Sequence, residues 1–349
     1  MYEFQRSTQI HPTWGWSFIP NVDSVWEEDW KRRERTPIRI NFETLPIPGY
    51  SQYGMRDDGL DSNVETIIPV FGDSFSFGST VELKEIWSEL IERRNPEIDM
   101  LNLAGGGGLT KAVEQYAILR DLLPQHDIVI YQMWLGNEFF DNYAFPKEQA
   151  RVTEIRSAHV AETQKRRLQS ASYLAYVVFE AIDNIQNVID SQQDEYAYVV
   201  ETDQLWDVEF GNFYLYPANP ILLRYTEPDY SDERIIEGIQ STEDALLRMK
   251  SLVGNRELII ILFPFKEQLY EEIVMPHRLE LDLTKPNKIV MNLCAVHTVT
   301  CFDLLPRFDK YKDSKLYWDY DPHFTQMGQL YASIEVEAIM RKHEVIPTK

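Results

Sequence analysis

From Thr66 onward the chain alternates short apolar runs with stretches of helical spacing, the pattern of βαβ units that build a parallel sheet. The runs Ile67 to Phe71, Ile98 to Leu103, Ile128 to Trp134 and Leu258 to Phe263 are predicted as buried strands. Each is almost continuously apolar, as strands covered on both faces are. Cys301 to Leu305 predicts a short last strand. Helices at about 81 to 94 and 109 to 123 join the first three strands. An amphipathic helix is expected at about 284 to 296, and a final one from Thr325 to about Lys342, with Thr325 as its N-cap.

Two regions break this alternation. Residues 1 to 65, rich in Trp, Pro, Arg and Asp, lack clean periodicity and read as an irregular arm laid on the main domain. One or two short strands are expected there, Arg39 to Phe42 among them. Between Asn137 and about Arg256 the alternation stops for a stretch too long to be a loop, so a large, mostly helical insertion is expected at about 138 to 255. Its first half, Lys147 to Ile189, has helical spacing. Its second half carries Trp206, Phe210, Phe213, Tyr214 and Tyr216, read as a small core rather than a substrate pocket. The expectation is an α/β domain over 66 to 349 with a central parallel sheet, interrupted by that insertion and preceded by the arm.

At 349 residues the chain can bury a sizeable core. Its 56 acidic against 34 basic residues give a net charge of −22, which argues against nucleic acid and anionic membrane surfaces as partners. No window approaches the ~18 apolar residues of a membrane span. No basic-then-apolar leader opens the sequence, so a cytoplasmic location is expected. Cys294 and Cys301 lack the clustered spacing of a zinc site or disulfide framework, and one bridge is not implied. The histidines are scattered, so neither metal nor cofactor is expected.

The candidate chemistry begins where the first apolar run breaks into Gly72-Asp73-Ser74. This puts a hydroxyl at the C-terminal mouth of a buried strand, where open α/β sheets gather their ligands. Alone, the tripeptide is ordinary turn and N-cap chemistry. Three downstream segments add weight: Asn102-Leu103-Ala104-Gly105-Gly106-Gly107-Gly108 after the second run, Gly136-Asn137-Glu138 after the third, and Asp321-Pro322-His323 before the last helix. A serine hydroxyl needs a histidine to take its proton and an acid to orient the imidazole. His323 and Asp321 fit those roles, Asp321 being preferred to the nearby Asp319 because Pro322 limits the path between acid and ring. An oxyanion needs donors where charge develops. Gly107 can offer its N–H, with Gly106 and Gly108 as neighbouring alternatives, and Asn137 its side-chain amide. Read singly, the glycines could be a helix-entry turn and Asn137 an N-cap. A phosphate loop is not matched, because Lys111 follows Thr110 rather than the last glycine. Lys266 and Glu267, past the fourth strand, read as surface charges.

On these residues the chain resembles the SGNH hydrolases, or GDSL-type esterases. The matching blocks are Gly72 to Gly78, Asn102 to Gly107, Leu135 to Asn142 and Asp321 to Gly328, and the likeness spans about 66 to 142 and 256 to 340. Gly54-Met55-Arg56-Asp57 also looks like the segment that precedes the first block in many bacterial members. The resemblance implies a flavodoxin-like three-layer α/β/α sandwich, with Ser74 as nucleophile and oxyanion donor. Gly107 and Asn137 would be the other donors, and His323 with Asp321 would complete the triad. Glu138 departs from the pattern, standing where the family usually has Asp.

The expected activity is hydrolysis of a small acyl ester through an acyl-enzyme, with a small-molecule ester or acylated carbohydrate as substrate. Acyl transfer to another alcohol from the same Ser74 is the alternative. A catalytically silent binding protein is disfavoured by the presence of Ser74, Asn137, Asp321 and His323 together.

Overall fold

Among the described residues, five parallel strands make the central sheet, four in one ladder and the second apolar run joined to the first by backbone bonds. The computed structural model describes residues 54–61, 63–146, 226, 229–230, 232–271, 281–319 and 321–346, and the backbone of several short strands outside them. Those strands are Thr8–His11 (β1), Gly15–Phe18 (β2), Asp23–Trp26 (β3), Ile38–Asn41 (β4) and Glu43–Thr44 (β5). With Gly54–Met55 (β6), the order β1-β2-β6-β5 makes a small antiparallel sheet, and β3 pairs with β4. The arm thus holds more strands than its irregular sequence suggests, because pairs this short carry little periodicity.

The first apolar run is split into Thr66–Ile67 (β7) and Val70–Phe71 (β8) around Pro69, which has no N–H to give a ladder. Backbone bonds from Ile68 to Asp99, Val70 to Leu101 and Leu103 to Val70 nevertheless keep it paired along the second run, which begins at Ile98–Asp99 (β9). On its other side β8 pairs with Ile128–Trp134 (β10). Beyond Val208–Phe210 (β11) and Phe213–Leu215 (β12), an antiparallel pair, the sheet continues. All seven residues of β10 align with Glu257–Phe263 (β13), which pairs with Thr300–Asp303 (β14). Spatially the second strand comes first, then the first, third, fourth and fifth. That is the flavodoxin-like order, whose switch point lies between the first and third strands.

Helices cover both faces. Ser74–Phe77 (α1) follows β8 directly. Trp87–Glu92 (α2), Leu109–Leu119 (α3), Glu233–Val253 (α4), Lys266–Leu269 (α5), Lys285–Val296 (α6), Leu305–Phe308 (α7) and Gln326–Lys342 (α8) follow in order, and residues 138–146 are also helical. Helix α2 packs on α8 in one layer, and α3 on α4 in the other. The single helix expected at 81 to 94 is instead a 3-10 turn, Leu83–Glu85, then extended Ile86, then α2. Ile86 leaves the helical conformation where its side chain lies against Gly78.

Helix α4 falls inside the stretch expected as an insertion. Its buried face mixes Ile235, Leu246, Met249 and Val253 with Gly238, Thr242 and Ala245, a stripe diluted by small and polar residues. The chain divides into two compact units, Met1–Pro146 with Trp206–Lys349, and Lys147–Leu205. The second unit, with the whole of the expected helical half of the insertion, lies outside the described residues, as do the side chains of Trp206, Phe210, Phe213, Tyr214 and Tyr216. Cys294 and Cys301 are free thiols. Among the described residues no helix is long and apolar enough to cross a membrane.

Candidate active site

The turn that carries Ser74 is fixed by its own sequence and by neighbours on both sides. Asp73 caps α1: its Oδ1 accepts from Phe75 N at 2.8 Å and its Oδ2 from Trp134 N at 3.0 Å. Gln132 Oε1 accepts from Ser76 N at 3.2 Å and from Ser76 Oγ at 2.9 Å, and Trp87 Nε1 donates to the same hydroxyl. Phe77 N bonds to Asp73 O. This leaves the Ser74 N–H, at the head of the turn, without an acceptor among the described residues. Gly78 closes α1 in the left-handed region at φ 68°, and a Cβ there would stand 2.6 Å from Ile86 Cγ1, so only glycine fits. Fully buried Arg56 donates to Phe77 O at 2.9 Å and also to the carbonyls of Gly78 and Val81, satisfying the open end of the turn.

His323 reaches the turn from 249 residues away: its Nε2 lies 2.6 Å from Ser74 Oγ. Its Nδ1 lies 2.7 Å from Asp321 Oδ1, which also accepts the His323 backbone N–H at 2.8 Å. A carboxylate can only accept from Nδ1–H, so this contact assigns the tautomer with Nε2 free to accept from the serine hydroxyl. Phe75, with its centroid 5.1 Å from that of the imidazole, and Trp134, at 6.4 Å and nearly parallel, pack against the ring. Asp319 pairs with Lys315 instead.

The loop bearing His323 is held largely by side-chain donors. Lys266 Nζ donates to Trp318 O at 2.7 Å and Asp319 O at 2.8 Å. Tyr317 OH donates to Pro264 O at 2.7 Å, Tyr270 OH to Ser314 O at 2.9 Å, and Thr80 Oγ1 to Phe324 O at 2.8 Å. Thr325 caps α8 as its sequence predicts, accepting from Gly328 N at 3.3 Å. The expectation that Lys266 and Glu267 are surface charges is overturned, since both are fully buried. The bend after β13 turns them inward, and the Lys266 ammonium is stabilised by carbonyls of the histidine loop.

Gly107 and Asn137 lie on loops at the C-terminal edge of the sheet, after the strands that flank β8 on either side. Gly107 has φ 87°, and a Cβ there would press on Lys111 Cδ at 2.9 Å. Gly106 is also left-handed, whereas Gly108 is extended and caps α3. Asn137 is half-buried, with its Oδ1 buried and without a hydrogen-bond partner. Two residues that the sequence did not single out for this task join the loops. Glu138 Oε1 accepts from Leu109 N at 2.8 Å and Asn142 Oδ1 from Thr110 N at 2.9 Å, while Asn142 Nδ2 donates to Glu138 at 2.9 Å. Asn102 links the glycine loop to the serine turn, donating through Nδ2 to Ser76 O at 2.8 Å and accepting from Ala104 N at 3.1 Å. An acidic or amide residue just after Asn137 and another one helical turn on were the available signals.

Burial pushes Asp73 up to about 6, against the pull of the Phe75 and Trp134 amides. Glu138 goes further, to about 8, mainly through burial, with the Leu109 amide opposing and the Asp73 charge adding to the rise. Tyr131 OH lies 3.1 and 3.0 Å from the two Glu138 oxygens, so either a carboxylate accepting from the phenol or a protonated carboxyl suits the site.

No protein-family model matches the chain, and no curated protein matches it. Among solved structures it is similar to a member of the lipolytic protein G-D-S-L family from Veillonella parvula, with 12% identity and a TM-score of 0.40 over 78% of this chain and 97% of the other. It is also similar to Est24, a carbohydrate acetylesterase from Sinorhizobium meliloti, with 8% identity and a TM-score of 0.38 over 80% and 100%. A third similarity is to an aryl esterase from M. smegmatis, with 10% identity and a TM-score of 0.39 over 79% and 99%.

Proposed function

We propose that the chain is a serine-dependent esterase that cleaves a short acyl ester through a covalent acyl-enzyme. One observation carries this reading: the unbroken line from Asp321 Oδ1 through the His323 ring to Ser74 Oγ, with contacts of 2.7 and 2.6 Å. Such a line transfers a proton away from the hydroxyl as it attacks.

In this reading Ser74 Oγ adds to the ester carbonyl while His323 Nε2 takes its proton, and Asp321 stabilises the imidazolium. The oxyanion is held by the Ser74 N–H, the Gly107 N–H and the Asn137 amide, each worth a few kcal/mol in a preorganised site. His323 returns the proton to the departing alcohol. Water then attacks the acyl-enzyme with His323 again as base, releasing the acid and restoring Ser74. O-acetylated carbohydrates and short-chain esters are the substrate classes to test first.

The test is steady-state hydrolysis of p-nitrophenyl esters from acetate upward and of a panel of acetylated sugars. The expected result is turnover highest for the shortest acyl groups and reduced by about 10⁴-fold or more in Ser74→Ala. Equal rates in wild type and Ser74→Ala, with both folded, would overturn the proposal.

A further inference from the structure

Beside the serine turn lies a second cluster of polar groups that the proposed ester chemistry does not use. Asp57 and Asp58 follow β6, Glu89 and Glu92 lie on α2, and Asp99 ends β9. One carboxylate oxygen each from Asp57, Asp58 and Glu89 lies within 4.8 Å of the others. Asp57 and Glu89 are buried, whereas Asp58 is exposed, so the cluster opens to solvent on one side.

Arg93 and Arg56 are close enough to Glu89 to feel its charge, but both spend their hydrogen bonds on backbone carbonyls. Arg93 Nε donates to the backbone oxygen of Glu89, and Arg56 gives its guanidinium to the carbonyls of Phe77, Gly78 and Val81. The donors that do reach the cluster are mainly amides. Asp57 accepts from Gly59 N at 2.9 Å and Asn102 N at 2.6 Å, Asp99 Oδ2 accepts from Asp61 N at 2.6 Å, and Glu92 accepts from Met100 N. A separate observation points to a missing ligand: Glu89 accepts from the Asp58 backbone N–H, yet, at only 3% exposure, it keeps Oε1 buried with no hydrogen-bond partner. Buried carboxylate oxygens are rarely left without a donor or a cation.

Hard cations prefer such all-oxygen settings. Two oxygens bound to one calcium ion at roughly 2.4 Å lie at most about 4.8 Å apart, and magnesium draws its ligands closer. We propose that Asp57, Asp58 and Glu89 form a site for one hard divalent cation, calcium or magnesium, that braces the serine turn from outside the catalytic groups. The bracing runs through Asp57 to the Asn102 backbone, and from the Asn102 side chain to Ser76 O at 2.8 Å. The cation site stands apart from the esterase reading and does not depend on it.

The test is isothermal titration of the full chain, stripped with chelator, with calcium chloride and separately with magnesium chloride, alongside thermal melts in each ion and in EDTA. Wild type is expected to bind one ion per chain and to melt several degrees higher at millimolar ion than in EDTA. The arm that binds more tightly identifies the cation. Asp58→Asn, at an exposed position where folding is not at stake, should weaken binding at least tenfold, and Glu89→Gln should abolish it. No binding of either ion at millimolar concentration would overturn the proposal. So would binding unchanged in Asp58→Asn, which would assign the ion to the general acidic surface.

Discussion

The serine half and the histidine half of the candidate site are held in place by different means. Ser74 stands on a strand–turn–helix whose polar groups are shared among Asp73, Gln132, Trp87, Asn102 and Arg56, so no single partner carries the turn alone. His323 stands on an irregular loop whose carbonyls are gripped one at a time, with the buried Lys266 ammonium on two consecutive ones just before Asp321. Regular structure satisfies its own backbone, whereas a loop must borrow donors from elsewhere. One half therefore shares its polar groups among interlocked partners, while the other is gripped at separate points by Tyr317, Tyr270, Thr80 and the clasp of Lys266, which takes two carbonyls.

The largest expected effect tests the orientation of His323. Asp321→Asn can leave the loop intact yet favours the wrong tautomer, and should lower kcat for p-nitrophenyl acetate by about 10³–10⁴-fold. Asp319→Asn, which breaks only the pair with Lys315, should change kcat by less than about threefold. Similar losses in the two variants would mean that the loop's charge as a whole, and not the Asp321 contact, matters.

A smaller effect compares the two halves directly. Lys266→Met removes the clasp and should lower kcat by about tenfold with KM little changed, as His323 spends less time in line with Ser74. Arg56→Met opens one grip among several, so its effect should appear in stability, about 2–4 kcal/mol by denaturant titration, more than in kcat. If Arg56→Met cost more kcat than Lys266→Met, the contrast would be reversed.

The effect expected to leave kcat least changed is on the pH dependence of stability, and it involves only the serine and oxyanion side. Glu138 rises from the ordinary carboxylate range near 4.5 to about 8 on folding, so the folded state binds the extra proton between those values. Its stabilising contribution is complete below pH 4.5 and is lost as pH climbs through 8, with a slope of up to about 1.4 kcal/mol per pH unit. Melting curves of wild type from pH 5 to 9 should therefore fall more steeply than those of Glu138→Gln, whose side chain does not ionise. Parallel curves would remove Glu138 as the source.

How legible each part was depends on the same contrast. The long strands Ile128–Trp134 and Glu257–Phe263 could be read from apolar runs, because a strand buried on both faces records its surroundings in its own composition. Gly72-Asp73-Ser74 and Asp321-Pro322-His323 could each be read as a local motif, whereas their meeting across 249 residues is seen only in the structure. Helix α4 was not legible, since Gly238 and Thr242 interrupt its apolar stripe. Gly238 lies so close to Phe139 O that a Cβ would stand 2.1 Å from it, a requirement set by a distant segment. Lys266 looked like a surface charge for the same reason: nothing near it in sequence reveals the carbonyls of Trp318 and Asp319. Contacts between remote segments decide such residues, and a single sequence does not display them.

Intact-protein mass spectrometry after fluorophosphonate treatment shows whether Ser74 is an activated nucleophile. Wild type should gain one adduct, Ser74→Ala none, and Asp321→Asn should react far more slowly than wild type. An unmodified, folded wild-type chain, or an adduct that persists in Ser74→Ala, would mean that Ser74 is not the activated nucleophile.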